Sequence, residues 1–400
     1  MKILQINCVY NKGSTGKIVC DIHEELQQKS IESVVCYGRG KRQREKNVYK
    51  TCGEIYAKWQ NLFSRFSGLM YGGCVFSTNR LISRIKKEKP DVVHLHCING
   101  YFVNIYRLVE WLKKQNIKTV LTLHAEFMYT ANCGHALECE SWKTGCGKCT
   151  RRRAVTKSLF VDGTHSSWLK MKKAFDGFEN LTVVSVSPWL MQRAKQSPIL
   201  ADKSHCVVLN GTDTGIFHRR DTIELREKYG ITDEKILFHA TPHFTDDPEH
   251  FKGGKYILDI AERMKEKRVK IFVAGEYPFG LQVPENVVLL GRVEDQNLLA
   301  EFYSMADVTL LTSKRETFSM VCAESFCCGT PIVGFKAGGP EQISLDKYSK
   351  FVEYGDIDGM ESAIMDFLNV EIDKAGLKKE AEAVYSRDKM FEGYLEIYKR

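Results

Sequence analysis

Two carboxylates eight residues apart, Glu316 and Glu324, stand in the run Glu-Thr-Phe-Ser-Met-Val-Cys-Ala-Glu that leads into Ser-Phe-Cys-Cys-Gly-Thr-Pro-Ile-Val-Gly-Phe. A carboxylate accepts paired hydrogen bonds from neighbouring hydroxyls, so two of them beside a phosphate site suit a sugar nucleotide. The residues around them predict how they are held. Ser319 is placed to cap a helix whose apolar side is Met320, Val321, Ala323, Phe326 and Cys327. Gly329 fits the left-handed position past its end, and Pro331 stops it. The stretch Ile332 to Phe335 then reads as a buried strand. Glu316 falls in the loop before the helix and Glu324 about a turn and a half inside it. Both can face a ligand over the helix N-terminus, where free N–H groups and the macrodipole favour a phosphate. The competing reading is a pair of solvated glutamates on a surface helix.

Other residues carry chemistry of their own. Asn11-Lys12-Gly13-Ser14-Thr15-Gly16-Lys17 follows the first predicted strand and opens a helix. It is not a P-loop, because two residues rather than four separate the glycines and Ile18 follows the lysine. Nor is it a dinucleotide fingerprint, since Asn11 takes the place of the first glycine. What is left is a tight turn, or a glycine loop that lets another group approach the backbone at a helix N-terminus. His94 and His96 share one face near a strand end, and His124 ends the next strand. Two histidines without a well-spaced third ligand argue poorly for zinc, so lining a cleft and simple packing are the alternatives. Cys133, Cys139, Cys146 and Cys149 give C-x5-C-x6-C-x2-C, with only the last pair at tight zinc spacing. Four cysteines so dense in a glycine- and charge-rich loop are hard to place together in a core. A structural zinc is expected there, ahead of unmetallated thiols and of disulfides.

These residues must be positioned by alternating strands and helices. Strand-like runs fall at 3–9, 33–37, 92–96, 119–124 and 182–187, with helical patterns at 17–29, 55–70, 80–87 and 105–114 between them. The second half repeats the theme at 236–240, 271–274, 287–290, 308–312 and 332–335. Such alternation means βαβ units and parallel sheets, an α/β class. A chain of 400 residues exceeds one compact core, so two Rossmann-like domains are expected. The expected spans are 1–200, with a Cys-rich insertion at 125–153, then 201–385, then a last helix at 386–400. The linker is placed near 197–203.

Composition narrows the class. Hydrophobic residues at 43% and charged residues at 27% fit a globular enzyme. No signal peptide or membrane-spanning apolar run is read, and fourteen cysteines without export signals point to a reducing cytosol. Residues 1–200 carry 32 Lys/Arg against 15 Asp/Glu, a net +17, whereas residues 201–400 carry 26 against 35, a net −9. A basic half joined to an acidic one implies that only the first meets a polyanion: an anionic membrane, a lipid diphosphate or nucleic acid. Ile55, Tyr56, Trp59, Leu62, Phe63, Phe66, Leu69 and Met70 recur at helical spacing with Lys58 and Arg65 between them. A core-facing helix is the default reading and a membrane-interface helix the alternative, with Arg151-Arg152-Arg153 as a further basic run.

Taken together these motifs resemble retaining glycosyltransferases of family 4, most closely those of capsule and colanic-acid-type polysaccharide synthesis. The resemblance rests on Glu-x7-Glu before Gly-Thr-Pro-Ile-Val, on Lys252-Gly253-Gly254, on Asn210-Gly211-Thr212-Asp213, on the Gly13–Gly16 loop and on the cysteine-bearing segment with Trp142. It implies a GT-B fold, two Rossmann-like domains facing across a cleft. It further implies Glu316, Lys252 and His124 as catalytic residues. Gly13, Ser14, Thr15, Gly16, Arg292, Val293, Thr317, Phe318, Ser319 and Glu324 would bind the donor. An arginine six residues before the lysine is usual in the family; Asp246 stands here instead, leaving His239 or His243 as substitutes. The reaction implied is hexose transfer, with retention, from a nucleoside diphosphate sugar (UDP-linked) to a polyprenyl-diphosphate-linked saccharide on the inner face of the cell membrane. No catalytic metal is expected, because no Asp-x-Asp stands beside a strand end. Alternatives are a sugar-nucleotide epimerase or phosphorylase on the same fold, and a zinc-containing nucleic-acid binder, for which no recognition helix is found.

Overall fold

Thirteen strands, paired only in parallel, form two sheets in a computed structural model that describes all 400 residues. The first holds β1 (Lys2–Asn7), β2 (Glu32–Tyr37), β3 (Val48–Lys50), β4 (Val92–Leu95), β5 (Lys118–Leu123), β6 (Leu181–Ser185) and β7 (Ser204–Val207), in the order β3-β2-β1-β4-β5-β6-β7. The second holds β8 (Lys235–His243), β9 (Val269–Glu276), β10 (Val287–Gly291), β11 (Val308–Leu311), β12 (Ile332–Phe335) and β13 (Ser349–Val352), ordered β10-β9-β8-β11-β12-β13. Each sheet therefore grows outward in both directions from a central pair, β1 with β4 and β8 with β11. That reversal of strand order leaves a crevice beyond the carboxyl ends of the pair, where open α/β sheets bind ligands.

Burial explains why these runs are strands. β4, β11 and β12 are buried along their whole length, as parallel strands covered by helices on both faces must be. Edge strands β7 and β13 are only half-buried and mix polar with apolar residues. The helices supply the cover. In α1 (Gly13–Gln28), Ile18, Val19, Ile22 and Leu26 recur on one face and are buried. In the second half, Ile257, Ile260 and Met264 pack with Met360, Ile364 and Phe367 over the sheet.

The chain separates into two units, Met1–Val208 with Phe391–Arg400, and Leu209–Met390. The boundary lies later than the 197–203 linker read from the sequence. Cys206 pairs with Val184 in the first sheet, so the polar stretch before it is a turn into the last strand of that sheet. The closing residues return to the first unit: Tyr398 Oη lies 2.6 Å from His94 Nδ1, and Lys118 Nζ donates to the Tyr398 carbonyl at 2.9 Å.

One helix departs from its default reading. In α2 (Glu54–Ser67) only Ala57 and Ser64 are buried, and the apolar stripe faces outward. A stripe at helical spacing fixes which residues share a face, not what that face meets.

Candidate functional site

In the second unit, the loops after β8 and β11 flank the crevice of the central pair. The first ends in Lys252-Gly253-Gly254, where the helix Gly254–Arg263 begins. Gly253 has φ +68°, and a Cβ there would stand 2.2 Å from the Thr312 carbonyl; one on Gly254 would stand 2.4 Å from that of Thr245. Only glycine permits both approaches: the first presses the turn against the end of β11, the second folds it onto the start of its own loop. Thr312 Oγ1 adds a hydrogen bond to the Lys252 carbonyl at 3.1 Å.

The second loop carries Glu316. Its N–H donates to Ala337 and its carbonyl accepts from Gly339, both at 3.0 Å, which fixes the backbone against the loop after β12. Glu316 Oε1 thereby meets Lys252 Nζ at 2.5 Å, sixty-four residues away in sequence and about four-fifths shielded from solvent on both sides. The following helix spans Met320–Cys327. Ser319 holds the cap position expected of it, but with φ 85° and no side-chain hydrogen bond to the helix. That backbone is strained for a non-glycine residue, and the first-turn N–H groups are left without the expected cap. Thr317 and Phe318 are buried beside it. Glu324 accepts from Tyr303 Oη at 3.1 Å; burial, then the Glu324 charge, pushes the Tyr303 hydroxyl well above its usual range.

The remaining residues of this unit singled out in the sequence lie around this crevice or behind it. Arg292 is exposed and already paired with Glu276 at 3.0 Å and Glu294 at 3.3 Å; Val293 is half-buried. His239 is sealed in the core, its Nδ1 3.0 Å from the Leu310 carbonyl. Burial, with a smaller contribution from Lys252, lowers its pKa to about 4, so it is neutral at physiological pH. His243 and Asp246 are exposed. The residues that sequence reasoning missed are Tyr303, which orients Glu324, and the Ala337–Gly339 loop, which clamps Glu316. Gly338-Gly339-Pro340 was the available signal.

In the first unit the crevice of β1 and β4 is built from histidine. Fully buried, His94 and His96 lie with ring centroids 3.8 Å apart. His94 Nε2 contacts Thr122 Oγ1 at 2.7 Å, and His96 Nδ1 lies 3.2 Å from His124 Nε2. Burial pushes the first two far below the usual histidine range and brings His124 to about 4, so the stack is uncharged. Packing is thus the role of His94 and His96, while His124 is half-exposed at the end of the row. The Gly13, Ser14, Thr15, Gly16 loop opens α1; its first two residues are exposed, Gly13 has φ +64°, and Lys12 provides no side-chain cap.

Cys133, Cys139, Cys146 and Cys149 are brought around one cavity of about 150 Å³, all as free thiols. Burial raises Cys133 to about 12 and Cys146 to about 11. The donor chemistry suits zinc, but the positions do not close on an ion: no three His, Cys, Asp or Glu side chains in the chain stand ready to hold a metal. Trp142 anchors the segment, stacking beneath Arg193, whose guanidinium also pairs with Glu126 and Glu140.

Known proteins match this arrangement along the whole chain. Residues 15–215 match the profile of Glycosyltransferase Family 4, and residues 244–369 that of Glycosyl transferases group 1. N-acetyl-alpha-D-glucosaminyl L-malate synthase of Bacillus anthracis is 27% identical over 98% of this chain and 95% of its own. The putative colanic acid biosynthesis glycosyl transferase WcaC of Escherichia coli is 22% identical over 100% and 99%. Among solved structures, Anabaena HepE in complex with UDP superposes with a TM-score of 0.68 at 14% identity, covering all of both chains. Sucrose-phosphate synthase of Thermosynechococcus elongatus gives 0.65 at 14% identity, over 100% and 98%. Two parallel sheets of this order and a family profile over half the sequence leave one assignment: the chain belongs to glycosyltransferase family 4 and is a glycosyltransferase of the GT-B fold.

Proposed function

We propose that this enzyme transfers a hexose, with retention, from a UDP-linked sugar to a hydroxyl of a lipid-diphosphate-linked saccharide in surface polysaccharide synthesis, working peripherally on the inner membrane face. The observation that carries the reading is the Lys252–Glu316 pair at the crevice of β8 and β11. As the bond from the anomeric carbon to the leaving diphosphate breaks, negative charge grows on the phosphate oxygen. The Lys252 ammonium and the N–H groups at the start of the Met320–Cys327 helix are placed to stabilise it. The leaving oxygen takes the acceptor proton while the new bond forms on the same face, which retains configuration without a protein nucleophile. Glu316 orients sugar hydroxyls, and Glu324, held by Tyr303, serves the nucleotide side. In the first unit, the exposed start of α1 offers N–H groups to a phosphate, and His124 offers an uncharged hydrogen-bonding edge.

No Asp-x-Asp is expected from the sequence beside a strand end, but Asp356-Ile357-Asp358 follows β13 after three residues, with both carboxylates engaged locally. Asp356 caps a helix by accepting from the Gly359 N–H at 2.9 Å, and Asp358 pairs with Arg263 at 2.5 Å. HepE crystallised with UDP and WcaC named for colanic acid support the choice of donor and pathway. No helix is long and apolar enough to cross a membrane, so a lipid-linked acceptor would be met at a surface. A thermal-shift panel of nucleoside diphosphates and their sugars tests the donor. UDP compounds at about a hundred times their dissociation constant should add about 2.7 kcal/mol, and Lys252→Ala should abolish the shift. Stabilisation only by another base would replace the donor; no stabilisation by any nucleotide would end the reading.

A further inference from the structure

The first unit carries an apolar face and a basic cavity joined by one helix. On α2 and its neighbours, Ile55, Trp59, Phe63, Phe76 and Phe160 are 75, 65, 55, 78 and 71% exposed. They form one surface. Phe66 stacks on Phe160 with centroids 6.1 Å apart, and Tyr56 meets Phe76 edge-on at 6.2 Å. Leu159 N–H donates to the Arg65 carbonyl at 2.9 Å, fixing the 159–161 segment to the end of α2. Soluble domains seldom leave so many aromatic side chains together in water.

Phe76 lies in the first turn of α3 (Val75–Glu88). Arg80, Arg84 and Lys87 follow it four, eight and eleven residues on, so all four occupy one face of the helix. Those three basic residues line an open cavity of about 920 Å³ against β3, together with Arg42, Arg44 and Lys50. Glu45 is the acidic residue in the lining, and it is engaged by Tyr10 Oη at 2.9 and 2.8 Å. Lys50 pairs with Glu54 and Arg84 with Glu88, whereas Arg42, Arg44 and Lys87 have no acidic partner. The cavity is therefore strongly positive and begins roughly one helical turn, about 6 Å, from the exposed aromatics. An apolar face bury depth of about 5–10 Å in a bilayer places a site at that separation among the lipid phosphates. Arg152 caps the far edge, donating to the Leu159 and Phe160 carbonyls at 3.3 Å, and Lys58 and Arg65 lie along α2.

We propose that this face docks on an anionic bilayer, with the α2 and Phe76 aromatics inserted and the cavity between β3 and α3 taking phosphate-bearing lipid headgroups. The charge complementarity selects the occupant: an apolar protein partner gives no use for six basic side chains around one cavity. The inference rests on the proposed lipid-linked acceptor for its purpose, but its test does not. Co-sedimentation should show binding to vesicles of phosphatidylcholine mixed with phosphatidylglycerol, lost at high salt, and none to phosphatidylcholine alone. Replacing Trp59, Phe63 and Phe76 together by Ala should weaken binding at least about tenfold. Arg42→Gln, Arg44→Gln and Lys87→Gln together should weaken it about a hundredfold, since each basic residue near an anionic leaflet is worth about fivefold. Both variants should keep the UDP thermal shift of the wild type. Equal binding of the apolar variant, equal binding to neutral vesicles, or a wild-type dimer that the apolar substitutions dissociate would overturn the proposal. A protein that binds vesicles but shifts with no nucleotide would instead sink the donor reading and leave this one standing.

Discussion

The two crevices of this molecule share a topology and differ in chemistry. In both units the sheet grows from a central pair in the same strand order, and in both a loop-to-helix turn lies past the first strand of that pair. Past β8 and β11 stand opposite charges, Lys252 and Glu316, held in contact by glycines that let backbones approach. At the ends of β4 and β5 stands a row of neutral histidines, two buried and His124 half-exposed, held by Thr122, Gln5 and Tyr398. A nucleoside diphosphate brings charge that needs an ammonium and dipoles; a sugar hydroxyl needs only hydrogen-bonding edges. The fold thus supplies two equivalent places, and the side chains decide what each can hold.

The sharpest way to break this contrast is to remove the charges. Glu316→Ala and Lys252→Ala should each cut turnover by about a hundredfold or more, the scale set by losing a preorganised group at a developing charge. Glu324→Ala should weaken donor affinity about tenfold, roughly 1.4 kcal/mol, with turnover less affected. His124→Ala, removing an uncharged contact, should cost about tenfold in turnover. Steady-state rates and donor titrations on folded variants measure all four. Wild-type activity in Glu316→Ala or Lys252→Ala would remove the site assignment, and a larger loss from His124 than from Glu316 would reverse the comparison.

Acid should find the first unit before the second. His94, His96 and His124 are held neutral by burial, His124 with a pKa near 4 against an ordinary 6.5. Their folded-state pKa values lie below the unfolded value, so the unfolded chain binds more protons between about pH 6.5 and 4. Stability is therefore complete above the unfolded pKa and falls as the pH drops through that window. His239 adds the same sign from the second unit. The melting temperature should decline steadily from pH 7 to pH 5, with hydrogen exchange at β4 and β5 rising ahead of that at β11 and β12. A flat melting temperature over that range rules out the buried neutral stack.

Much of this was legible in the sequence. Buried parallel strands read as mostly apolar, β-branched-rich runs, so β1, β4, β5, β11 and β12 could be placed to within a residue or two. The strand at Val48–Lys50 and that at Ser349–Val352 escaped, because short edge strands carry mixed residues and no run. Lys252 and Glu316 were recognisable one by one, yet their contact depends on Gly253 and Gly339 packing against distant carbonyls, which no local pattern encodes. The resemblance marks Arg292 as a donor-binding position, but nothing in the local sequence shows that its side chain pairs with Glu276 and Glu294. The outward turn of α2 was equally hidden. Periodicity assigns Ile55, Trp59 and Phe63 to one side, but only the tertiary structure shows that nothing covers it.

The smallest expected effect on transfer concerns the first unit's other distinctive feature, the cysteine loop, which has no counterpart in the second. Four free thiols face one cavity, and Cys146-Gly147-Lys148-Cys149 turns through left-handed conformations at Cys146, Gly147 and Lys148 that point a short loop around a centre. Holding zinc would require the thiols to move inward to about 2.3 Å from the ion, and Cys133, Cys146 and Cys149 to give up protons that burial favours. Metal analysis of protein purified without chelator tests this: one zinc per chain would mean that the thiols draw inward to close on it, and its removal should then loosen residues 133–149 while leaving donor affinity nearly unchanged. A closed shell of four thiolates keeps no position open for water or substrate, so the ion would act on the loop alone. Metal analysis decides the first point and proteolysis of the loop with and without chelator the second. A zinc content near zero would make the four cysteines lining residues of a small cavity, and a chelator that abolished donor binding would mean the loop reaches further into function than its position implies.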